Sequence, residues 1–242
     1  MNNNAPVNPE VKEIAVGRSV AVYLIRLLAM LVVASASMFG ISWRLDWVGA
    51  WLLLGISGST QLIGLWIILA TSPDLLDERA AMQEGTKEWD KPLILHMGII
   101  LPLTSAVVAG VDKRLGWSPE LPLWLVAAAL AVGLAGVLLA LWALGTNRFF
   151  SATVRIQSDR GHHVIDSGPY AIVRHPGYLG GLLLHAMMPL ILGTLWVYVV
   201  TTLYLAVTVT RTRLEDATLH AELPGYSDYA RRVRYRLLPG IW

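Results

Sequence analysis

The chain has no cysteine among its 242 residues. Disulfides, thiolate catalysis and cysteine metal sites are therefore excluded. It is also poor in charge: 15% of residues are charged, 55% are hydrophobic and the mean hydropathy is +0.55. An ordinary soluble domain carries about 25% charged residues, so this composition points to a membrane bundle. There is no internal repeat and no low-complexity tract. His162 and His163 are adjacent, with no partner at metal-ligand spacing, so no metal is assigned. As neighbours in an extended loop they are expected to point apart. The formal net charge of +2 gives no reason to expect a nucleic-acid partner.

What the chain does have is apolar runs of membrane length. About 20 apolar residues cross a bilayer as a helix, and residues 19–40, 47–70, 92–111 and 121–144 each qualify. Residues 1–18 form a polar N-terminal segment, and 19–145 read as the N-terminal transmembrane part. Ala34-Ser35-Ala36 resembles a signal-peptidase site, but Arg26 leaves only a short, weak apolar core before it, which favours a retained span. Arg26 is expected to snorkel to the interface, Gln61 to make an interhelical hydrogen bond, and His96 to bond at the interface. Residues 71–91 are a polar connector whose DLLDERA portion suits a short surface helix. Residues 147–174 read as an extended loop or a short hairpin.

Residues 177–210 are too long for one span and suit two short helices in a hairpin. The turn is expected near Pro189 and Gly193-Thr194. His185, within this hairpin, is an intramembrane histidine and so a candidate of low weight. Beyond it, RTRLEDATLHAE is expected to form one helix and YSDYARRVRYR another. The arginines of the second, Arg231, Arg232, Arg234 and Arg236, suit an anionic membrane surface.

The stretch GPYAIVRHPGYLG, residues 168–180, places Arg174, His175 and Tyr178 directly before the hairpin. Pro169 and Pro176 fix φ, and Pro176 suits the first position of a helix, where its missing N–H costs nothing. Taken with the acidic pair of RTRLEDATL (Arg211, Arg213, Glu215, Asp216, Leu219) and with Tyr226 and Tyr229 in GYSDY, it resembles the isoprenylcysteine carboxyl methyltransferase and phospholipid methyltransferase family. The resemblance covers about residues 147–242, so 146–242 is read as the catalytic region. It implies an all-α multi-pass membrane enzyme that uses S-adenosylmethionine to methylate a lipid-like or prenylated acceptor, small molecule or protein. On that resemblance His175, Gly177, Tyr178, Tyr170, Glu215 and Asp216 would bind the cofactor, with Glu215 meeting its ammonium group. Arg174 and Arg211 would orient an anionic acceptor beside Tyr178, and Phe149-Phe150 would pack on adenine or on the sulfonium. One departure is visible: many members have Glu-Glu where this chain has Glu215-Asp216. An Arg211–Glu215 pair at i,i+4 is the structural alternative. Two other functions stay open, a membrane NADPH-dependent sterol-reductase-like enzyme and a non-enzymatic protein with a lipid-binding basic tail.

Charge placement supplies an orientation. If the N-terminus, the 71–91 connector, the 146–176 loop and the tail share one face, the opposite face keeps only Arg44, Lys113 and Arg114. The positive-inside rule then puts both termini and the site in the cytoplasm, for a protein of the bacterial inner membrane. The hairpin returns to the face it leaves, giving five crossing elements when it counts as one. A reporter active only outside the cytoplasm is therefore expected to stay silent when fused after Trp242; activity there would overturn the topology.

Overall fold

In the computed structural model the backbone is described over residues 9–242 and the side chains over 16–242. The first part of the expected polar segment, residues 1–8, lies outside the described residues. Helix α1 spans Pro9–Ser42, α2 Val48–Thr71 and the short α3 Asp74–Ala80. Helix α4, Asp90–Leu95, passes through one π-helical turn, His96–Ile100, into α5, Leu101–Leu115. Then follow α6 (Leu123–Thr146), α7 (Pro176–Leu192), α8 (Val197–Glu222) and α9 (Tyr226–Arg232). No strand occurs among the described residues, so the 147–174 loop forms no β-hairpin.

Among the described residues four stretches are long and apolar enough to cross a membrane: Val16–Ser42, Val48–Thr71, Asp90–Leu115 and Leu123–Thr146. They fall on the four spans expected from hydropathy, and the fold is the expected all-α multi-pass bundle. Their outer surfaces are as apolar as their contacts. Leu28, Trp66 and Leu138 are each more than 60% exposed, an exterior that water would not tolerate but lipid would. Tyr23 of α1 donates to the Gln61 carbonyl at 3.1 Å and reaches its side-chain oxygen at 3.3 Å, the expected interhelical bond.

The hairpin differs in two respects from its sequence reading. Pro189 lies inside α7, and the chain turns only at Gly193, where φ is +65°. The turn is then tied to the far end of the bundle. Trp47 Nε1 donates to the Leu192 carbonyl at 2.8 Å, and the Leu195 N–H donates to Ser118 Oγ at 2.7 Å. Asp112 in turn accepts from Ser118 Oγ at 2.6 Å. Helix α7 nonetheless reaches that end with only 17 residues, about 25 Å at about 1.5 Å each, against 24 residues in each of α2 and α6. The second difference is α8. It does not stop at the membrane end but continues unbroken to Glu222, so RTRLEDATLHAE is its last part rather than a separate helix. Helix α9 likewise ends at Arg232, short of the expected YSDYARRVRYR.

Small residues set how closely the helices approach. Lipid tails are as apolar as leucine, so helices in a membrane associate through close packing rather than hydrophobic driving force. A Cβ on Gly180 of α7 would stand 2.4 Å from the Gly136 carbonyl of α6, and one on Gly136 would stand 2.6 Å from the Gly180 carbonyl. The two backbones are in direct contact there, which fixes the height of the α7 N-terminus. Replacing Gly180 by Val is expected to force the pair apart at a cost of about 1–3 kcal/mol. Thermal unfolding in detergent micelles measures this; an unchanged melting temperature would refute the close contact.

Candidate functional site

A cavity of about 400 Å³ opens where α7 begins. His175, Gly177 and Tyr178 contribute from the start of α7, and Arg211, Glu215 and Leu219 from α8. The 147–165 loop adds Phe149, Phe150, Gln157 and His162. Ile94, Met97 and Gly98, around the π turn, and Tyr204 of α8 form the side toward the membrane-length helices. Tyr170, Tyr226 and Tyr229 close the side toward the tail.

Pro176 opens α7 as expected, and the first turn lies against an aromatic ring. A Cβ on Gly177 would stand 2.6 Å from two ring carbons of Phe150, so only glycine admits this contact. The expected pair Phe149-Phe150 therefore lines the cavity. Phe149 is buried and carries both His162 and His163 on its ring, at centroid distances of 4.6 and 5.0 Å. The two histidines thus do not point apart. A 3₁₀ turn at Ser158–Arg160 and Gly161 at φ +67° reverse the chain before them, so strand-like alternation does not apply. Burial, aided by His163, Arg160 and Arg155, lowers the His162 pKa to about 4, leaving a neutral ring in the cavity wall near pH 7.

The acidic pair is divided. Successive residues of an α-helix point about 100° apart, and here the two carboxylates face different surroundings. Glu215 lines the cavity with its side chain 24% exposed, and accepts from Tyr178 Oη at 2.5 Å. Among the described residues it is the one carboxylate in the cavity wall. His175 Nδ1 stands 4.0 Å from it. Asp216 does not line the cavity; it is 1% exposed and sits at the centre of a network. It accepts from Arg174 Nε and Nη2 at 2.8 and 3.0 Å, from Tyr226 Oη at 2.9 Å and from Arg236 Nε at 2.7 Å. His175 Nε2 lies 3.3 Å away. Burial alone would raise this carboxyl, but His175, Arg174 and Arg236 together hold it far below the usual carboxylate range.

Both expected acceptor arginines line the cavity, and both are heavily engaged. Beyond its two bonds to Asp216, Arg174 donates through Nη1 to the Val233 and Arg234 carbonyls at 2.9 and 2.7 Å. Its backbone N–H and that of His175 donate to the Tyr235 and Arg236 carbonyls, each at 2.9 Å. Arg211 does not pair with Glu215. It donates through Nε and Nη2 to Asp90 at 2.7 and 3.1 Å and through Nη2 to the Ala152 carbonyl at 2.7 Å. Its guanidinium lies 5.4 Å over the Tyr178 ring. Asp90 is fully buried and also accepts from the Val154 N–H at 2.6 Å. Tyr170 is buried in the wall, its carbonyl accepting from Tyr229 Oη at 2.7 Å, and burial raises its phenol pKa.

Sequence reasoning passed over the connector's part in this site. Asp90 holds Arg211, Arg79 enters the cavity wall, and Glu78, 4% exposed, accepts from Arg155 at 2.9 and 2.6 Å. The available signal was a run of both charge signs too dense for a plain surface loop. Arg26 is exposed, and His96 is exposed with Nδ1 2.6 Å from the Pro92 carbonyl. His185 stacks on Tyr204 at 3.6 Å. No metal-holding group of His, Asp and Glu occurs among the described residues.

Residues 124–221 match the model of the isoprenylcysteine carboxyl methyltransferase (ICMT) family. The match begins at α6, upstream of the motif resemblance, and ends before Tyr226 and Tyr229. A comparison with curated proteins gave no match. The matched stretch is similar to a family of carboxyl methyltransferases, and it takes in the last of the four membrane-length helices found among the described residues.

The Asp216 network makes a prediction of its own. A carboxylate with a depressed pKa stabilises the fold above its unfolded value, here 3.8, and loses that effect only as pH falls through the folded value. The tail is therefore expected to stay docked at pH 5. Asp216→Asn leaves the buried Arg174 without its countercharge, a loss of about 3–5 kcal/mol. Trypsin is expected to cut after Arg232, Arg234 and Arg236 much faster in that variant, and an unchanged digestion pattern would show that the network does not hold the tail.

Proposed function

We propose that the protein is an integral-membrane, S-adenosylmethionine-dependent methyltransferase whose acceptor is a lipid-like or prenylated molecule bearing a carboxylate. The observation that carries this reading is Glu215: a single carboxylate in a cavity walled by Phe149, Phe150, Tyr170, Tyr178 and Tyr204. Glu215 suits a cationic group, because it is an acid beside aromatic side chains and no lysine or arginine is bonded to it among the described residues. The donor set fits the cofactor in this respect, and its volume lies within the ordinary range of cofactor pockets, about 300–1,000 Å³. S-adenosylmethionine would supply a methyl group on a cationic sulfur, a donor that needs no metal.

In this reading Glu215 holds the cofactor's ammonium, with Tyr178 fixing the carboxylate through its hydroxyl. His175 and the backbone N–H groups at the start of α7 meet its carboxylate. Phe149 and Phe150 provide apolar faces for the adenine or the sulfonium. Asp216 acts at one remove, by fixing Arg174 and His175, and Arg174 is then a positioning residue. Arg211 is left to orient the acceptor. An acceptor carboxylate is ionised at pH 7 and needs no base. Attack by one of its oxygens would form the O–C bond as the donor's S–C bond breaks, releasing a neutral thioether, and Arg211 would hold that oxygen in line. The residues' task is alignment and exclusion of water. Tyr178 leads from the cavity straight into the apolar α7, which supports delivery of the acceptor from the membrane. The concentration of lysine and arginine at this end supports its facing the cytoplasm.

The test is transfer of labelled methyl from the cofactor to a prenylcysteine analogue, to phosphatidylethanolamine and to a small water-soluble acid, beside binding titrations with S-adenosylmethionine and NADPH. Turnover of the prenylcysteine analogue is expected, with saturable binding of S-adenosylmethionine alone. Glu215→Gln is expected to weaken cofactor binding about tenfold or more, the effect of losing a charged hydrogen-bond partner, with helical content unchanged. Binding of NADPH in place of S-adenosylmethionine, or wild-type affinity in the Gln variant, would overturn the assignment.

A further inference from the structure

Four arginines line the cavity: Arg79, Arg155, Arg174 and Arg211. Three are bonded through two nitrogens to buried carboxylates. Arg155 is held by Glu78, Arg174 by Asp216 and Arg211 by Asp90. Arg79 alone has no carboxylate partner among the described residues. It donates through Nη1 to the Phe150 carbonyl at 3.0 Å, and its guanidinium lies 5.9 Å over the Phe150 ring. Its Nε and Nη2 have no protein acceptor among the described residues, and the residue is half-buried. Its neighbour Glu78 is turned to Arg155.

A guanidinium withdrawn from water without a countercharge is costly. Burial, together with the like charge of Arg211, holds the Arg79 pKa below the ordinary guanidinium range. Arg211 uses Nε and Nη2 on Asp90 and Ala152, which leaves its Nη1 unbonded. Two arginines near enough to repel, each with unbonded N–H groups in one cavity, are an arrangement that an oxyanion between them would stabilise.

We propose that Arg79 and Nη1 of Arg211 form an oxyanion seat that holds the carboxylate of the methyl acceptor. This rests on the methyltransferase reading and adds to it a recognition residue. Arg79 lies on α3, outside residues 124–221, the stretch that matches the family. The Phe150 ring beneath it packs on the apolar cluster of Leu65, Ile68, Leu75 and Leu76. The seat thus borders the membrane-length helices, on the side from which an acceptor with a hydrocarbon arm arrives. Glu215 would repel a carboxylate, whereas the Arg79 side attracts it; the two charges sort the ends of donor and acceptor.

The experiment compares wild-type protein, Arg79→Gln and Arg79→Lys as full chains in detergent micelles. Binding of N-acetyl-S-farnesylcysteine and of its uncharged carboxamide is read by tryptophan fluorescence, and binding of S-adenosylhomocysteine by calorimetry. Wild type is expected to prefer the acid over the amide by about tenfold, as a hydrogen bond to a charged group allows. Arg79→Gln should remove that preference and leave S-adenosylhomocysteine affinity within about twofold, while Arg79→Lys retains part of it. If the Gln variant does not fold, Arg79→Met, which keeps the packing over Phe150, takes its place. No preference in wild type, or a preference that survives Arg79→Gln, overturns the seat. Loss of S-adenosylhomocysteine affinity with the acid preference intact also overturns it, by giving Arg79 to the cofactor's carboxylate. Failure of wild type to bind S-adenosylhomocysteine at all would instead sink the methyltransferase reading, and the acid–amide comparison still decides the seat.

Discussion

Asp216 is a carboxylate held at 1% exposure between two arginines, a histidine and a tyrosine. Desolvating such a charge is expensive, and only saturated, well-aligned partners offset it. Those partners come from three separate pieces of chain: the RHP loop, the start of α9 and the tail beyond it. Because they must meet at one point, the tail is drawn across the end of the bundle and the loop is fixed at the head of α7. The neighbour in sequence inherits the consequence. With Asp216 committed to the tail, Glu215 stands about 100° around α8 and faces the cavity, bonded to Tyr178 and to no cation. Electrostatics that fix the fold thereby leave one acid available at the site.

Helix packing carries that geometry into the apolar part of the molecule. The backbone contact of Gly136 with Gly180 sets α7 against α6, and the Trp47–Leu192 bond sets its other end. The first turn of α7 then has no freedom to slide, and Gly177 meets Phe150 at a distance that admits no side chain. On the other side of the cavity α8 is one rigid rod from Val197 to Glu222. Arg211 and Glu215 therefore keep their spacing from Tyr204 however the loop moves. A site for in-line transfer needs this kind of scaffold, since misplacement by about 1 Å is enough to lose much of the rate.

The spans were legible because about 20 apolar residues have few other places to go. The hairpin was legible from its length, and the motif from its resemblance. What escaped was whatever depends on contacts distant in sequence. Asp90 and Arg211 are 121 positions apart, and no local pattern in KEWDKP announces that its aspartate will hold an arginine of α8. The break placed between 210 and 211 was a different kind of miss. Hydropathy falls there, but RTRLEDATLHAE contains no glycine or proline before Pro224, so nothing in the backbone stops the helix. Polarity marks where a helix leaves the membrane, not where it ends. The Glu215-Asp216 pair was read as a unit from the family resemblance, whereas helical geometry separates two adjacent side chains almost by a right angle.

The division between matched and unmatched sequence has a physical counterpart. Residues 124–221 bring α6, α7 and most of α8, and with them Tyr178, Arg211 and Glu215. The wall opposite comes from residues outside the match, Arg79 on α3 and Ile94, Met97 and Gly98 around the π turn, while Asp90 at the start of α4 holds Arg211 in place. A π-helical turn costs hydrogen-bond geometry and tends to occur at functional sites; this one lies where a helix long enough to cross the membrane meets the cavity. Gly98 is exposed, and a Cβ built there would meet nothing within 4 Å, so the wall is open at that point. If methyl transfer is the function, cofactor contacts sit mainly on the matched helices, while the girth and charge of the acceptor are read by the connector and the π turn. Relatives that share the transfer chemistry can then differ in acceptor through changes confined to the segment ahead of the shared region, without disturbing the Asp216 network that holds the site together.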